Sequence, residues 1–337
     1  MSGEAIVSAP GKTILFGEHA AVYGHAALVT ALDHRMTVRA STPSDVPLGA
    51  LRLEIPSMGI TRTISRISGN EIVKGPGDLA ILAVAIAAAE LKPAAAGFHV
   101  RIESRIPAGA GFGSSAALAV AVIAACRRAG NADVALEEIA RLAFLVEQRQ
   151  HERASGVDVQ AVLRGGTLWC LRPPGGQLAC DALSGAGPGL DSFRLFHSGT
   201  PAETTGDMVA AVRRMLDREP SRVRDAFATI DAATLAGREA LIQGDTAGLI
   251  PIVRRAEAAL EVIGVVPETV RERIRAIEAQ GGAAKVSGAG SARGPGAGLV
   301  LVVHTDPAWH ERFTPPAGWT PHRVALGAQG LRMEVAA

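Results

Sequence analysis

Runs rich in Val, Ile, Leu and Thr recur through the first part of the chain, at Ala5–Ala9, Ala27–Ser41, Leu51–Pro56 and Thr61–Ile67, divided by glycine and proline turns. They predict a mainly antiparallel sheet. A helix is expected from Gly77 to Leu91. After it, Phe98, Val100, Ile102 and Ser104 alternate with His99, Arg101, Glu103 and Arg105, the period of a strand over Gly97–Ile106. A glycine loop comes next. Ser114–Ala129 is helical by its apolar content, and Val134 to about Arg153 carries Leu136, Ile139, Ala140, Ala143 and Phe144 at helical spacing behind a cap at Asp133. Both helices should pack on the sheet.

Pro173–Pro188 is rich in glycine and proline and has little periodic signal, so a domain boundary is expected there, dividing the chain into 1–185 and 186–337. Beyond it a strand at Phe193–His197 leads into helical segments around Asp207–Leu216, Val223–Leu241, Ala247–Ile263 and Pro267–Ala279. Strands return at Ala283–Val286 and Ala297–His304, split by a second glycine loop, with Arg323–Leu326 and Leu331–Val335 last. No internal repeat is present. Both halves read as α+β.

Composition narrows the possible functions. A chain of 337 residues, 48% apolar and 20% charged, is long enough for two cored domains and a cleft. Its net charge of +1 leaves no basic excess for a nucleic-acid backbone. The longest apolar runs, Leu79–Ala89 and Ala116–Cys126, fall short of the roughly 18 residues of a membrane span. The N-terminal residues, with an acid at Glu4, do not follow the basic, apolar, small-residue order of a secretory signal. Cys126, Cys170 and Cys180 are odd in number and lack a C-x-x-C pair, which predicts neither a zinc site nor a disulfide framework and fits the cytoplasm. Of 34 basic residues only Lys12, Lys74, Lys92 and Lys285 are lysine. Where lysine survives such an arginine bias, a compact ammonium is the expected requirement.

The sharpest chemical feature is Pro107-Ala-Gly-Ala-Gly-Phe-Gly-Ser-Ser-Ala-Ala117, between a strand and a long helix. Gly109, Gly111 and Gly113 let backbone N–H groups approach a phosphate, and the helix N-terminus adds donors and a positive dipole end. The alternative is a plain strand-to-helix turn with Ser114 as N-cap. Two better-known phosphate motifs do not fit. Gly111-x-Gly113-x-x-Ala116 matches a dinucleotide fingerprint, but Asp133 precedes a helix where that motif needs an acid at the end of a strand. Gly11-Lys12-Thr13 resembles the end of a P-loop whose first glycine would have to stand at Ile6.

Pro10-Gly11-Lys12 with Gly17-Glu18-His19-Ala20 and Gly24, the Gly109–Ala117 loop, and Lys285-Val-Ser-Gly-Ala-Gly290 resemble, in order and spacing, the three motifs of the GHMP small-molecule kinases. Within that superfamily Ala9–Gly24 is most similar to the mevalonate kinases. The resemblance implies a two-domain α+β fold, with an N-terminal domain like domain 2 of ribosomal protein S5 and a ferredoxin-like C-terminal domain. It also implies ATP and Mg²⁺ as cofactors, mevalonate as acceptor at its primary hydroxyl, and room for a homodimer. The nucleotide would meet Pro107, Gly109, Ala110, Gly111, Gly113, Ser114, Ser115 and Ala116. Mevalonate kinases carry a glutamate eleven residues before an aspartate, as Glu147 and Asp158 stand here in a helix and the Ser155-Gly-Val-Asp158 loop after it. By resemblance Glu147 and Ser115 would hold the metal and Asp158 would face the attacking hydroxyl, with Lys12 as the cation beside it.

Each of these residues also has a plain reading. Glu147 precedes His151 by four residues on a helix face, and Asp158 suits a turn. Phosphoryl transfer nonetheless needs this set of phosphate donors, a bridging metal, a cation and a carboxylate. Glu18, His19, Ser155, Gly288 and Ala289 are expected around the acceptor, with Thr204 and Thr205 either contacting it or simply capping a helix. The third loop departs from the family: Ser291-Ala-Arg-Gly-Pro-Gly296 stands where mevalonate kinases run bare glycines, so Arg293 either reaches a phosphate, belongs to a loop remodelled for another acceptor such as phosphomevalonate or a sugar, or sits on the surface. A non-catalytic sensor on the same fold is the rival of another class.

Overall fold

The apolar stretch at the start of the chain folds as one strand, β1 (Glu4–Phe16), because its Pro10–Gly11 step is absorbed as a register shift against β2 (Ala27–Ser41). Glycine is required at position 11: a Cβ there would lie 2.8 Å from the carbonyl oxygen of Phe112, which accepts a hydrogen bond from the Lys12 amide at 2.9 Å. This close approach ties the glycine loop to β1. The computed structural model describes residues 3–67, 74–89, 91, 97–107, 109–150, 154–173, 175–306 and 308–335. Lys92, Ala108 and His151 lie outside the described residues.

A hairpin of β3 (Leu51–Ile55) and β4 (Ile60–Ile64) is followed by α1 (Pro76–Ala89) and by β5 (Phe98–Ser104), which pairs antiparallel with β2 and parallel with β3. Then come α2 (Ser114–Ala129), α3 (Leu136–Gln150), α4 (Val157–Arg164) and a second hairpin, β6 (Thr167–Leu171) with β7 (Ala179–Ala182). The short α5 (Gly187–Leu190) leads to β8 (Phe193–His197), α6 (Thr205–Arg218), α7 (Pro220–Gln243), α8 (Thr246–Val262) and α9 (Glu268–Glu278). The chain closes with β9 (Ala283–Ser287), β10 (Leu299–Val303), α10 (Trp309–Arg312), β11 (Thr320–His322) and β12 (Arg332–Glu334). The first sheet has the order β12-β1-β2-β5-β3-β4, with β6 pairing β2 and carrying β7; the second is β11-β8-β10-β9.

Helix α2 is apolar on every side and is buried between the first sheet and α1, α3 and α4. Each Val, Ile or Leu side chain shut away there stabilises by about 1.5–3 kcal/mol. Its N-terminus, the end that carries Ser114 and Ser115, is therefore firmly placed. The second sheet is packed by Val223, Phe227, Ile230, Leu260 and Ile274 from its helices. The two sheets meet where Ser287 Oγ on β9 donates to Ile14 O at 2.8 Å and accepts from Ile14 N at 3.2 Å, with Thr13 Oγ1 2.9 Å away.

Three expectations need correction. The hairpin β6–β7 and helix α4 go beyond the elements that the sequence pattern predicts, and Arg323–Leu326 forms no strand beyond an isolated bridge from Leu326 to Leu32. The C-terminal residues are expected in the second half, but β12 pairs with β1, and Arg35 fastens this return by donating to the carbonyls of Gln329 and Gly330, each at 2.7 Å. Cys170 and Cys180 face each other across β6 and β7 and form a disulfide, Cα–Cα 4.1 Å, while Cys126 is free and buried. Spacing rules overlook pairing across a hairpin, and the cysteine count no longer argues for a reducing compartment. No helix among the described residues is long and apolar enough to cross a membrane.

Candidate functional site

Lys12 leaves the middle of β1 almost wholly buried, at 4% exposure, and its Nζ lies 2.7 Å from Asp158 Oδ1. Asp158 stands in the first turn of α4, where unpaired N–H groups favour a carboxylate; Gly156, at φ 76°, turns the chain into that helix. Glu147 reaches the same place from the last turns of α3. Its Oε2 is shut away from solvent with no hydrogen-bond partner. Burial, and after it the charge of Asp158, pushes the Glu147 carboxyl up to about 7. Glu147, Asp158 and Ser115 line a small void of about 40 Å³. An orphaned carboxylate oxygen, a hydroxyl and a second carboxylate around such a space are a hard, all-oxygen donor set that fits Mg²⁺. Among the described residues no three His, Cys, Asp or Glu side chains gather as a metal cage, so a nucleotide would have to supply the remaining donors.

The glycine loop arrives over this carboxylate pair. Gly109, Gly111 and Gly113 have φ of 69°, 85° and 73°, a left-handed run open to glycine. Gly113 also makes room for lysine, since a Cβ there would lie 2.6 Å from Lys12 Cγ. It is the N-cap of α2 and no side chain caps that end. The alternative of Ser114 as N-cap therefore does not hold, and the first amides of α2 are available to an anion.

A cavity of about 760 Å³ opens between elements of the two sheets. From the first part of the chain it is lined by Lys12, His19, Gly109, Gly111, Gly113, Ser114, Ser115, Glu147, Ser155 and Asp158; from the second by Thr204, Thr205, Gly288 and Ala289. A neighbouring cavity of about 580 Å³ shares Ser114, Ser115, Thr204 and Gly206 with it. Met36, Ile55, Met58, Leu79, Ile102 and Leu118 give that second space apolar walls, with Lys74, Gly75 and Pro76 among its lining.

Other expected residues stand differently. Ala110 is buried in the core, Ala116 lines only the small void, and Pro107 lines neither large cavity. Thr204 is the N-cap of α6 in a full capping box with Asp207, and its hydroxyl donates to Asp207 Oδ2 at 2.6 Å. Arg293 lines neither large cavity. It is 81% exposed and its Nε donates to Glu203 Oε1 at 2.9 Å, while Ser291 Oγ donates to Glu203 Oε2 at 2.5 Å. The unusual third loop is thus latched to Glu203, the residue before the N-cap of α6.

His19 and Glu18 part company at a sharp turn. His19 has φ 59° and ψ −47°, and the Ala20 amide donates to the Glu18 carbonyl at 2.6 Å, which makes His19 the centre of a γ-turn of the strained, positive-φ kind. Such a residue costs about 1–3 kcal/mol and persists only where its surroundings enforce it. The turn aims the His19 ring into the cavity, where its Nε2 lies 3.1 Å from the Ala289 carbonyl. Because a carbonyl only accepts, Nε2 carries the proton and Nδ1 is left as an acceptor. Burial pushes the ring down to about 4, so it is neutral at pH 7. Glu18 points the other way. It is 2% exposed, lines neither large cavity nor the small void and pairs with Lys285, so its expected place around the acceptor is corrected.

The family model for the GHMP kinases N-terminal domain matches residues 67–166, the span holding the glycine loop, Glu147 and Asp158. The chain is 33% identical to the mevalonate kinase of Archaeoglobus fulgidus over 285 residues, 85% of this chain and 89% of that relative. It belongs to the mevalonate kinase family. In three dimensions it resembles the Methanococcus jannaschii mevalonate kinase at TM-score 0.74, with 21% identity over 98% of both chains. Lactococcus lactis galactokinase, solved with galactose, is also similar at TM-score 0.71, with 17% identity over 98% of this chain and 95% of that one. The GHMP scaffold alone therefore does not select an acceptor.

Two groups at this family member's site escaped the sequence. Arg213 and Arg214 of α6 line the large cavity, cations that nothing distinguished within an arginine-rich chain. Arg172, just after β6, donates through Nη2 to the Ser155 carbonyl at 2.9 Å and so braces the loop that presents Asp158.

Proposed function

We propose that this chain transfers the γ-phosphoryl group of ATP to the primary C5 hydroxyl of mevalonate, giving 5-phosphomevalonate and ADP for isoprenoid precursor synthesis. The observation that carries this reading is the Lys12–Asp158 contact at 2.7 Å, on a cavity wall where the uncapped N-terminus of α2 and the orphaned Glu147 oxygen converge. Adenine fits the apolar cavity beside Leu79 and Met36, and the triphosphate would run over the glycine loop. Glu147 and Ser115 would hold Mg²⁺, which when bound neutralises charge on the β and γ phosphates.

The protein's own groups then divide the work. Asp158 accepts a hydrogen bond from the acceptor hydroxyl and takes or orients its proton. Lys12 places an ammonium where negative charge spreads during transfer. His19, neutral and with Nδ1 as its free acceptor, suits a hydroxyl of the substrate and not its carboxylate. Arg213 and Arg214 suit the carboxylate. Val22, Val209 and Ala210 offer apolar surface to the methyl-bearing carbon. The latched third loop lines neither cavity, so its departure from the family pattern gives no reason to expect a different acceptor. A soluble substrate pair of this kind suits a cytoplasmic enzyme.

The test is ADP release with Mg²⁺-ATP and a panel of mevalonate, phosphomevalonate, galactose, homoserine and no acceptor. Release that depends on mevalonate is expected. Turnover of another acceptor alone would overturn the substrate, and nucleotide binding without turnover on any acceptor would favour a sensor.

A further inference from the structure

One buried ion pair is left unused by the chemistry above. Lys285 on β9 is 0% exposed; its Nζ donates to Glu18 Oε1 and, at 2.9 Å, to the Val286 carbonyl. Both partners are shut away from solvent, in the seam between β1 and β9. A second carboxylate, Glu257 of α8, is also fully buried nearby. Its Oε2 accepts from the Val286 amide at 2.9 Å and its Oε1 has no hydrogen-bond partner. Burial pushes Glu257 up to about 8, so it is neutral at pH 7; burial also raises the Glu18 carboxyl, and the Lys285 ammonium in contact with it pulls the other way.

The position of this pair gives it a task. Glu18 immediately precedes His19, the centre of the γ-turn, and Lys285 lies four residues before Ala289, whose carbonyl holds the His19 ring. The strained turn is therefore clamped twice by the same stretch of the second sheet: through the side chain before it and through its own imidazole. Asn131 is the other non-glycine residue with positive φ among the described residues, and asparagine tolerates that region. His19 needs an external restraint, and among the described residues the ion pair is the charged contact that reaches its turn across the seam.

We propose that Lys285 and Glu18 are a positioning pair for the acceptor: the ion pair holds the γ-turn that fixes the His19 ring and tautomer at the cavity wall, acting on acceptor binding and not on ATP. The kinetic part rests on mevalonate being the acceptor; the structural part does not.

The pair is tested with Lys285→Met, which keeps the stem and removes the ammonium, and with Glu18→Gln/Lys285→Met, which removes both charges and so avoids an unpaired buried carboxylate. In the full-length protein without ligands at pH 7.5, the imidazole ¹⁵N spectrum of wild type, assigned against His19→Asn, should show His19 fixed with Nε2 protonated. The double variant should show averaged tautomers. Its melting temperature should stay close to wild type while KM for mevalonate rises at least tenfold and KM for ATP stays within twofold. A double variant with a fixed His19 tautomer, or with equal changes in the two KM values, would overturn the proposal. If wild type fails to turn over mevalonate yet the double variant frees the His19 tautomer, the positioning role stands and the substrate assignment falls.

Discussion

Replacing Lys12 by methionine separates the chemistry of the ammonium from the packing of its stem. The stem passes over Gly113, within 2.6 Å of where a Cβ would be, and methionine preserves that contact. What is lost is a charge 2.7 Å from Asp158. At that distance, with an effective dielectric constant of about 20, the attraction is roughly 6 kcal/mol. Two effects reduce its net value: the Asp158 side chain is 34% exposed, and the ammonium gave up hydration on burial. A stability loss of about 1–3 kcal/mol remains, a fall of roughly 2–10 °C in melting temperature for a domain of this size. The effect on turnover should be larger, because the transferring group adds negative charge beside Nζ that the folded enzyme alone does not carry. Losing one preorganised electrostatic contact of this kind typically lowers kcat by about 10²–10³. The assay is ADP release at saturating substrates beside a thermal melt, and in a double-mutant cycle Lys12→Met with Asp158→Asn should be clearly non-additive. A variant that melts early but keeps kcat within threefold would refute the reasoning and leave Lys12 as a structural cation.

Three further outcomes follow from the same geometry. Gly113→Ala places a Cβ against the Lys12 stem at a φ of 73°, so kcat should fall at least tenfold while the fold survives; an unchanged kcat would show that Lys12 moves freely. Mg²⁺ must displace the proton that burial and Asp158 keep on Glu147 below about pH 7, so the apparent Mg²⁺ affinity should weaken about tenfold per pH unit under that value and level off above it, and Glu147→Gln should raise the requirement and remove the pH dependence. Glu257 holds in the fold, up to about pH 8, a proton that an ordinary carboxyl releases near 4.5; its contribution to stability is complete below 4.5 and is lost as pH rises through 8. Glu257→Gln should therefore flatten the decline of melting temperature between pH 5.5 and 8, and an unaltered slope would place the proton elsewhere.

What the sequence revealed depended on how local the cause was. Helix α2 was legible because an unbroken apolar run lies between Gly113 and Gly130, whereas Lys12, Ser115, Glu147 and Asp158, which line one cavity, were picked out by their resemblance to family motifs and not by spacing alone. Strand β1 was cut short at Ala9 because Pro10-Gly11 reads as a turn; the reason it continues, the Phe112 carbonyl, is about a hundred residues away. The β6–β7 hairpin, its disulfide and the return of β12 to β1 likewise depend on register between distant segments. Glu18 and His19 look equivalent as neighbours in one motif. The γ-turn between them sends one side chain into the cavity and the other into the seam with Lys285. The scarcity of lysine was informative: Lys12 and Lys285 are both buried in ion pairs where a guanidinium fork would need more donors satisfied.

The most direct test of the central claim is the position of the transferred phosphate. Wild-type protein incubated with Mg²⁺-ATP and mevalonate should give, by ³¹P NMR, one new phosphomonoester signal coupled to a CH₂ group and equal in amount to the ADP formed. A phosphate without that methylene coupling, or inorganic phosphate as the sole new signal, would contradict the account.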